Sequence, residues 1–313
     1  MFQLVTFNIG GARKLRGELF SPSQLGLEVA QALSVCMDTT QPTVIALQET
    51  GSSRAKSIHQ SSFEWVAYGL GGGYRVAFAP ELSTESHAHQ RLWDQPYYRD
   101  IEWGEEGNAL VTNLDKAEWA WQTRSFAQEN GWATSCFISH AMLYSTGSRD
   151  TQPRNLQVAS ITHPHYGAVY ILNTHLGTLS GEDRHDLDHP RSQAGEQVRL
   201  EQVAEIVRVM NELRESERAH HLPARPLILL GDFNAVPTSP SYRALCAHLR
   251  PLVVAPCEDE WTHCTHKILI DHVFVDDPLG VLPVAQAEIL TTLPVETLSD
   301  HRPLWVRFMD ASS

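Results

Sequence analysis

Leu227-Ile228-Leu229-Leu230-Gly231-Asp232-Phe233-Asn234 reads as a buried strand that stops at a glycine and hands over an acid and a carboxamide. Four apolar residues in succession suit a strand covered on both faces, and the glycine breaks it. Asp232 and Asn234 stand two residues apart, so in extended backbone both point to one side. Delivering such groups from a buried strand is costly unless a metal ion, a nucleophilic water or a phosphate uses them. Gly, Asp and Asn also favour turns, so the motif alone fits an ordinary turn equally well. The rest of the chain decides between the two.

Matching groups recur along the sequence. Leu4-Val5-Thr6-Phe7-Asn8 alternates in the manner of a strand and ends at Asn8. Thr43-Val44-Ile45-Ala46-Leu47 is a second strand, closed by Gln48-Glu49. Ala168-Val169-Tyr170-Ile171-Leu172 is a third, closed by Asn173-Thr174-His175. Ile268 to Val275 reads as a strand with Asp271 in its middle, where an unpaired carboxylate would be expensive. Ser299-Asp300-His301 leads into the last strand, Leu304 to Phe308. Asn108 at a strand entrance is a turn residue or a phosphate contact. Arg154, just after Pro153, is a solvated loop charge or a phosphate clamp. Helices are expected from about Ser23 to Met37, with Ser23 as cap, from about Glu196 to Glu217, and briefly from Tyr242 to Leu249. Strands dominate, which predicts one strand-rich α/β domain over residues 1–313.

Composition narrows the function. The net charge is −13, from 24 basic and 37 acidic residues. Avid binding to duplex DNA rests on many Lys and Arg contacts to phosphates, and before position 267 the lysines are Lys14, Lys56 and Lys116 alone. Duplex DNA is therefore disfavoured as a partner. No run of about 18 apolar residues predicts a transmembrane helix. The first residues show no secretory signal pattern. Five cysteines without a Cys-x-x-Cys pair suit a reduced compartment, so a cytoplasmic location is expected.

Two further clusters invite a metal reading. Cys257, His263, Cys264 and His266 are too compressed for a zinc finger. His185, Asp186, Asp188 and His189 lie in the polar segment 177–195, where a solvated loop is the better account. The aromatics Trp93, Tyr97, Tyr98 and Trp103 either pack a long loop onto the core or line a pocket.

If the strand ends converge, the set describes metal-assisted phosphoester hydrolysis. Carboxylate oxygens suit Mg²⁺ or Mn²⁺. Histidines beside acids suit proton transfer, and amides with an arginine suit phosphate oxygens.

The ordered set Thr-Phe-Asn8, Leu-Gln-Glu49, Gly107-Asn108-Ala, Asn-Thr-His175-Leu, Gly-Asp232-Phe-Asn234, Ile-Asp271-His and Ser-Asp300-His301 closely resembles the endonuclease/exonuclease/phosphatase superfamily over residues 4 to 308. That resemblance implies a four-layer α/β/β/α sandwich with two mixed central sheets. It implies Glu49 as principal metal ligand, with Asn8 and Asp300 close to the ion. His301 would be the general base, oriented by Asp271. Asp232 would position or deprotonate the attacking water, with Asn234 beside it. His175 would bind the scissile phosphate or protonate the leaving group, and Asn108 and Arg154 would contact phosphate. The histidine of Asn-Thr-His175 resembles the branch of sphingomyelinases, inositol-polyphosphate 5-phosphatases, deadenylases and pancreatic-type deoxyribonuclease. The apurinic-endonuclease branch carries Val-Pro-Asn there. The segments 87–103 and 177–195 depart from these relatives.

The leading expectation is a Mg²⁺- or Mn²⁺-dependent phosphoesterase acting on a small phosphodiester or phosphomonoester, a lipid headgroup or an inositol phosphate. A nuclease, with aromatics stacking bases, is the enzymatic alternative. A non-catalytic binding protein is the other, opposed by the intact acid and histidine set.

Overall fold

The computed structural model describes residues 1–10, 21–53, 61–83, 103–114, 119–120, 128–130, 133–137, 154–179, 181–252, 260–282, 285–291 and 298–309. The aromatic cluster from Trp93 to Tyr98, and Cys257, lie outside them.

Two mixed sheets carry the fold. The first contains β1 (Phe2–Asn8), β2 (Thr43–Ser53), β3 (Arg75–Ser83), β4 (Trp103–Thr112), β13 (Ala285–Ile289) and β14 (Leu304–Phe308), in the order β13-β14-β1-β2-β4-β3. The second contains β5 (Trp119–Ala120), β6 (Gln128–Asn130), β7 (Ala133–Phe137), β8 (Asn155–His163), β9 (Gly167–His175), β10 (Leu227–Asp232), β11 (Arg250–Pro251) and β12 (Asp271–Asp276). Its order is β11-β12-β10-β9-β8-β7-β6, with β5 on β8. Helices α1 (Pro22–Cys36) and α2 (Ser62–Leu70) pack on the first sheet; α3 (Pro190–Ala219) and α4 (Pro240–Cys246) pack on the second.

Side-chain alternation builds the layers. Along β1, Phe2 and Leu4 enter the core between the sheets, while Val5 and Phe7 meet α1 and α2. Along β10, Ile228 and Leu230 face the other sheet, while Leu227 and Leu229 meet α3. The result is the expected four-layer sandwich. Near one end, polar residues replace the apolar filling between the sheets. Gln48 Nε2 donates to Asn173 Oδ1 at 2.8 Å, and Asn173 Nδ2 donates to the Ala109 carbonyl at 3.1 Å. Buried polar groups are tolerated only when paired, so these bonds also set how the sheets lie over each other.

Several boundaries differ from expectation. Ser21, not Ser23, caps α1, because Pro22 lacks the N–H that the first helical position leaves unused. The sequence predicts no helix where α2 lies, although Ser61 caps it, accepting from the Glu64 N–H and donating its hydroxyl to the Glu64 carboxylate. Helix α3 starts at Pro190, a turn and a half earlier than its apolar stripe indicates, capped by His189. Asp271 opens β12 instead of sitting inside it. No helix among the described residues is long and apolar enough to cross a membrane.

Candidate active site

Each sheet has one parallel pair at its middle, β1 with β2 and β9 with β10. Parallel neighbours end on the same side, so Asn8, Gln48, His175 and Asp232 emerge together. Register puts Asn8 opposite Gln48 and Asp232 opposite His175. The antiparallel neighbour β12 begins where β10 ends, which sets Asp271 opposite Asp232. β14 likewise runs antiparallel to β1, so its approach brings Asp300 and His301 to the same end.

Alternation then aims the side chains. Asp232 shares the face of Ile228 and Leu230, Asp271 that of Val273 and Val275, and His175 that of Val169 and Ile171; all turn into the crevice between the sheets. Glu49 by the same count would face α1 and α2. A register irregularity between Leu47 and Thr50, with Glu49 at φ +48, re-aims it. Bulges do this at functional edges, and a glutamate in left-handed backbone is strained. Gly231 solves a different problem. Its φ is +148, and a Cβ there would collide with the Thr174 carbonyl oxygen, so only glycine lets β10 lie this close to β9.

Asp232 is the hub. Its Oδ2 accepts from Asn8 Nδ2 at 3.0 Å and lies 3.4 Å from His175 Nε2 and 3.7 Å from His301 Nε2. Its Oδ1 accepts from the Asn234 backbone N–H at 2.9 Å. Asn234 therefore joins through a turn, at φ +50, instead of by the extended alternation the spacing suggests. Burial and the neighbouring Asp271 raise the Asp232 pKa, while His301, Arg184 and Asn8 oppose the rise. Glu49 Oε1 lies 3.3 Å from Asn8 Nδ2 and 4.0 Å from His175 Nε2. His301 Nδ1 is 2.9 Å from Asp271 Oδ2. Burial pushes the His301 pKa down, but Asp271, Asp232 and Asp300 overcome it and hold the pKa up at about 10. Thr262 Oγ1 steadies this arm by accepting from the Ile270 and Asp271 N–H groups, both at 3.1 Å.

Asn108 and Arg154 are brought together, in a buried network around Glu81. Arg154 Nη1 pairs with Glu81 Oε2 at 2.9 Å; Asn108 Nδ2 donates to Glu81 Oε1 and Asn155 Oδ1, each at 2.9 Å. Arg154 is 2% exposed, which rules out a solvated loop charge, and the donors expected to meet phosphate point at Glu81 and Asn155. Burial raises the Glu81 pKa, offset by Arg154.

Two residues of the site carried no functional expectation of their own. His263, set aside with the zinc-like cluster, has its ring centroid 4.8 Å from that of His301 and its Nε2 3.6 Å from Asp300 Oδ2. Burial, then the charge on His301, push its pKa down to about 4. Arg184 donates from Nη2 to Asn234 Oδ1 and, at 2.9 Å, to Thr178 Oγ1. No local motif marks either one, since both reach the site through loops. Among the described residues, two groups place potential metal-ligand atoms within 4.8 Å of one another: Asp232, Asp271 and His301, and His263, Asp300 and His301. In the polar loop, Asp186 Oδ1 accepts from the Asp188 N–H and His189 Nδ1 from the Arg191 N–H, so these side chains shape the turn.

The sequence profile of the Endonuclease/Exonuclease/phosphatase family matches residues 5–301. An endonuclease/exonuclease/phosphatase from Bacteroides vulgatus is similar in structure, with a TM-score of 0.60 at 16% identity over 98% of this chain and 99% of that one. The human Nocturnin catalytic domain with bound sulfate gives 0.61 at 18%, over 98% and 93%. The mannosyl-6-phosphatase of Bacteroides thetaiotaomicron gives 0.55 at 16%, over 99% and 100%. At these identities the likeness is one of fold. No curated protein sequence matches the chain significantly.

Proposed function

Because the chain belongs to the Endonuclease/Exonuclease/phosphatase family, we propose that it is a Mg²⁺- or Mn²⁺-dependent phosphoesterase that splits a phosphate ester by attack of water. One observation carries the reading. A single buried carboxylate oxygen, Asp232 Oδ2, is met by Asn8, His175 and His301 from three strand ends, at 3.0, 3.4 and 3.7 Å.

The Glu49 side of the crevice fits a hard cation. Glu49 and Asp300 offer carboxylate oxygens on side chains 17% and 44% exposed, and Asn8 would join them through Oδ1, which accepts from the Gly10 N–H beside Asp300 Oδ1, while its Nδ2 faces Glu49 and Asp232. A divalent cation held there supplies Lewis acidity towards a phosphoryl oxygen and counter-charge for the carboxylates.

The chain's own residues supply the rest. Asp271 fixes the His301 ring so that Nε2 faces Asp232. Water placed beside Asp232 would lose its proton to that carboxylate, whose raised pKa makes it a stronger base than an ordinary one, while His301, held protonated by its acidic neighbours, would orient the water and supply positive charge. His175, with Nε2 3.1 Å from Asn234 Nδ2 and 3.4 Å from Asp232 Oδ2, would hold a phosphoryl oxygen or protonate the departing one. The Glu81–Arg154–Asn108 network stiffens the neighbouring wall. The charge of −13 favours a small or non-duplex ester. A structural relative named as a mannosyl-6-phosphatase supports a phosphomonoester as readily as a diester.

A panel of phosphomonoesters and phosphodiesters, assayed with and without Mg²⁺ or Mn²⁺, tests this. Turnover is expected only with metal. His301→Ala and Asp232→Ala are each expected to lower kcat at least about 100-fold in a protein that still folds. Absence of turnover under every metal condition refutes the proposal.

A further inference from the structure

The polar segment after β9 has the composition of a solvated loop, yet it is tied down at several points. Glu182 turns inward: its carboxylate accepts from the Leu179 N–H and pairs with Arg199 Nη1 at 2.9 Å, leaving the side chain 2% exposed. Gly195 on α3 makes the room, because a methyl group there would collide with that carboxylate. Gly177 N donates to Gln202 Oε1 at 2.8 Å, and the Asp183 N–H to Ser192 Oγ at 3.0 Å. His185 Nε2 meets the His266 carbonyl at 3.0 Å. Arg184 therefore sits between two fixed neighbours and is delivered to the catalytic crevice.

There its two terminal nitrogens are used unequally. Nη2 donates to Thr178 Oγ1 and to Asn234 Oδ1. That bond settles the direction of the Asn234 carboxamide, whose Nδ2 faces His175 Nε2 at 3.1 Å and the Leu176 carbonyl at 2.9 Å. Among the described residues, Nη1 is closed to solvent and has no hydrogen-bond partner. Of the charges around the guanidinium, Asp232 acts on it most strongly, followed by Arg199, Glu182 and Asp271. A buried donor without an acceptor is costly and is retained where a ligand completes it. Orienting Asn234 needs only Nη2, so Nη1 has a separate task. A guanidinium forks naturally onto tetrahedral oxyanions.

We propose that Arg184 is a substrate-binding residue whose Nη1 donates to a non-bridging oxygen of the phosphoryl group seated against His175 and Asn234. This rests on the phosphoesterase reading above. It adds to the cation side of the crevice a second positive arm, carried by a loop whose position depends on Glu182, Arg199 and Gly195.

The test uses Arg184→Gln and Arg184→Ala in the full chain. Gln keeps a donor for Asn234 but loses the charge and the fork. Inorganic phosphate binding is measured by calorimetry with and without Mn²⁺, and kcat and KM on whichever ester the wild type hydrolyses. Both variants should melt like the wild type, bind phosphate at least about 10-fold more weakly and lose about 100-fold in kcat/KM. Guanidinium added to Arg184→Ala should restore part of the rate, which a purely structural role would not produce. If the Ala variant fails to fold, the Gln variant decides alone. Wild-type phosphate affinity in a folded Gln variant overturns the proposal, whatever the esterase assay shows. If the wild type hydrolyses no ester yet loses phosphate binding on Arg184→Gln, the enzymatic reading falls and the anion site stands.

Discussion

His272 makes stability depend on pH in a way that can be worked out. It follows Asp271 on β12 but faces the α3 side, where its ring packs 4.8 Å from Tyr242 and 5.8 Å from Phe233. Its Nε2 lies 2.8 Å from the Ala235 carbonyl and so fastens the turn that carries Asp232 and Asn234. Burial lowers its pKa to about 4, against 6.5 in the unfolded chain. Above pH 6.5 neither state is protonated and His272 contributes no pH dependence. As the pH falls from 6.5 towards 4, the unfolded chain takes up a proton that the folded chain refuses, so stability drops. Each pH unit in that window costs about 1.4 kcal/mol, so moving from pH 7.5 to pH 5 removes about 2 kcal/mol through this residue. His263, also near 4, falls in the same window. Comparison with His272→Gln isolates the His272 share, because glutamine can still donate to Ala235 and does not titrate. Urea unfolding of both proteins at pH 7.5, 6 and 5 should show the wild type losing about 2 kcal/mol more than the variant across the range. A stability difference that stays constant within about 0.5 kcal/mol would refute the assignment of a buried, neutral His272.

Other perturbations test separate parts of the architecture. Gly231→Ala forces a side chain into left-handed backbone against the Thr174 carbonyl; a loss of at least about 3 kcal/mol, or failure to fold, is expected in thermal melting. Ser61→Ala removes the N-cap of α2 and should cost about 1 kcal/mol in chemical denaturation, with activity unchanged. Glu49→Gln keeps the side-chain shape and should weaken Mn²⁺ binding, followed by calorimetry, at least about 10-fold. Unchanged affinity there would remove Glu49 from the cation site.

Much of this molecule is legible in one dimension because short-range rules act there. Alternation along β1, β10 and β12 already states that Asn8, Asp232 and Asp271 share the face of the residues two positions away, and that face proves to be the one between the sheets. The strand-end pattern of Asn8, His175 and Asp232 is likewise plain in the chain, whereas Glu49, expected to close its strand, lies inside β2, which runs on to Ser53; the ordered motifs together identify the family. The starts of α2 and α3 are hidden in the sequence because apolar periodicity is weak there. Helix α3 begins with polar turns capped by His189, and α2 is announced only by Ser61 and Glu64.

Other features belong to the tertiary structure. The direction of Glu49 depends on a bulge that exists only once β2 pairs with β4. Arg154 looks like a free loop charge until Glu81, 73 residues away, closes on it. His263 and Arg184 enter the site from loops tied to other elements, to His301 before the last strand for the one and, through Glu182, to Arg199 on α3 for the other. Residue type and periodicity fix what a strand presents, since the backbone repeats every two residues. Which loops close over the strand ends depends on long-range pairing, which no local pattern encodes.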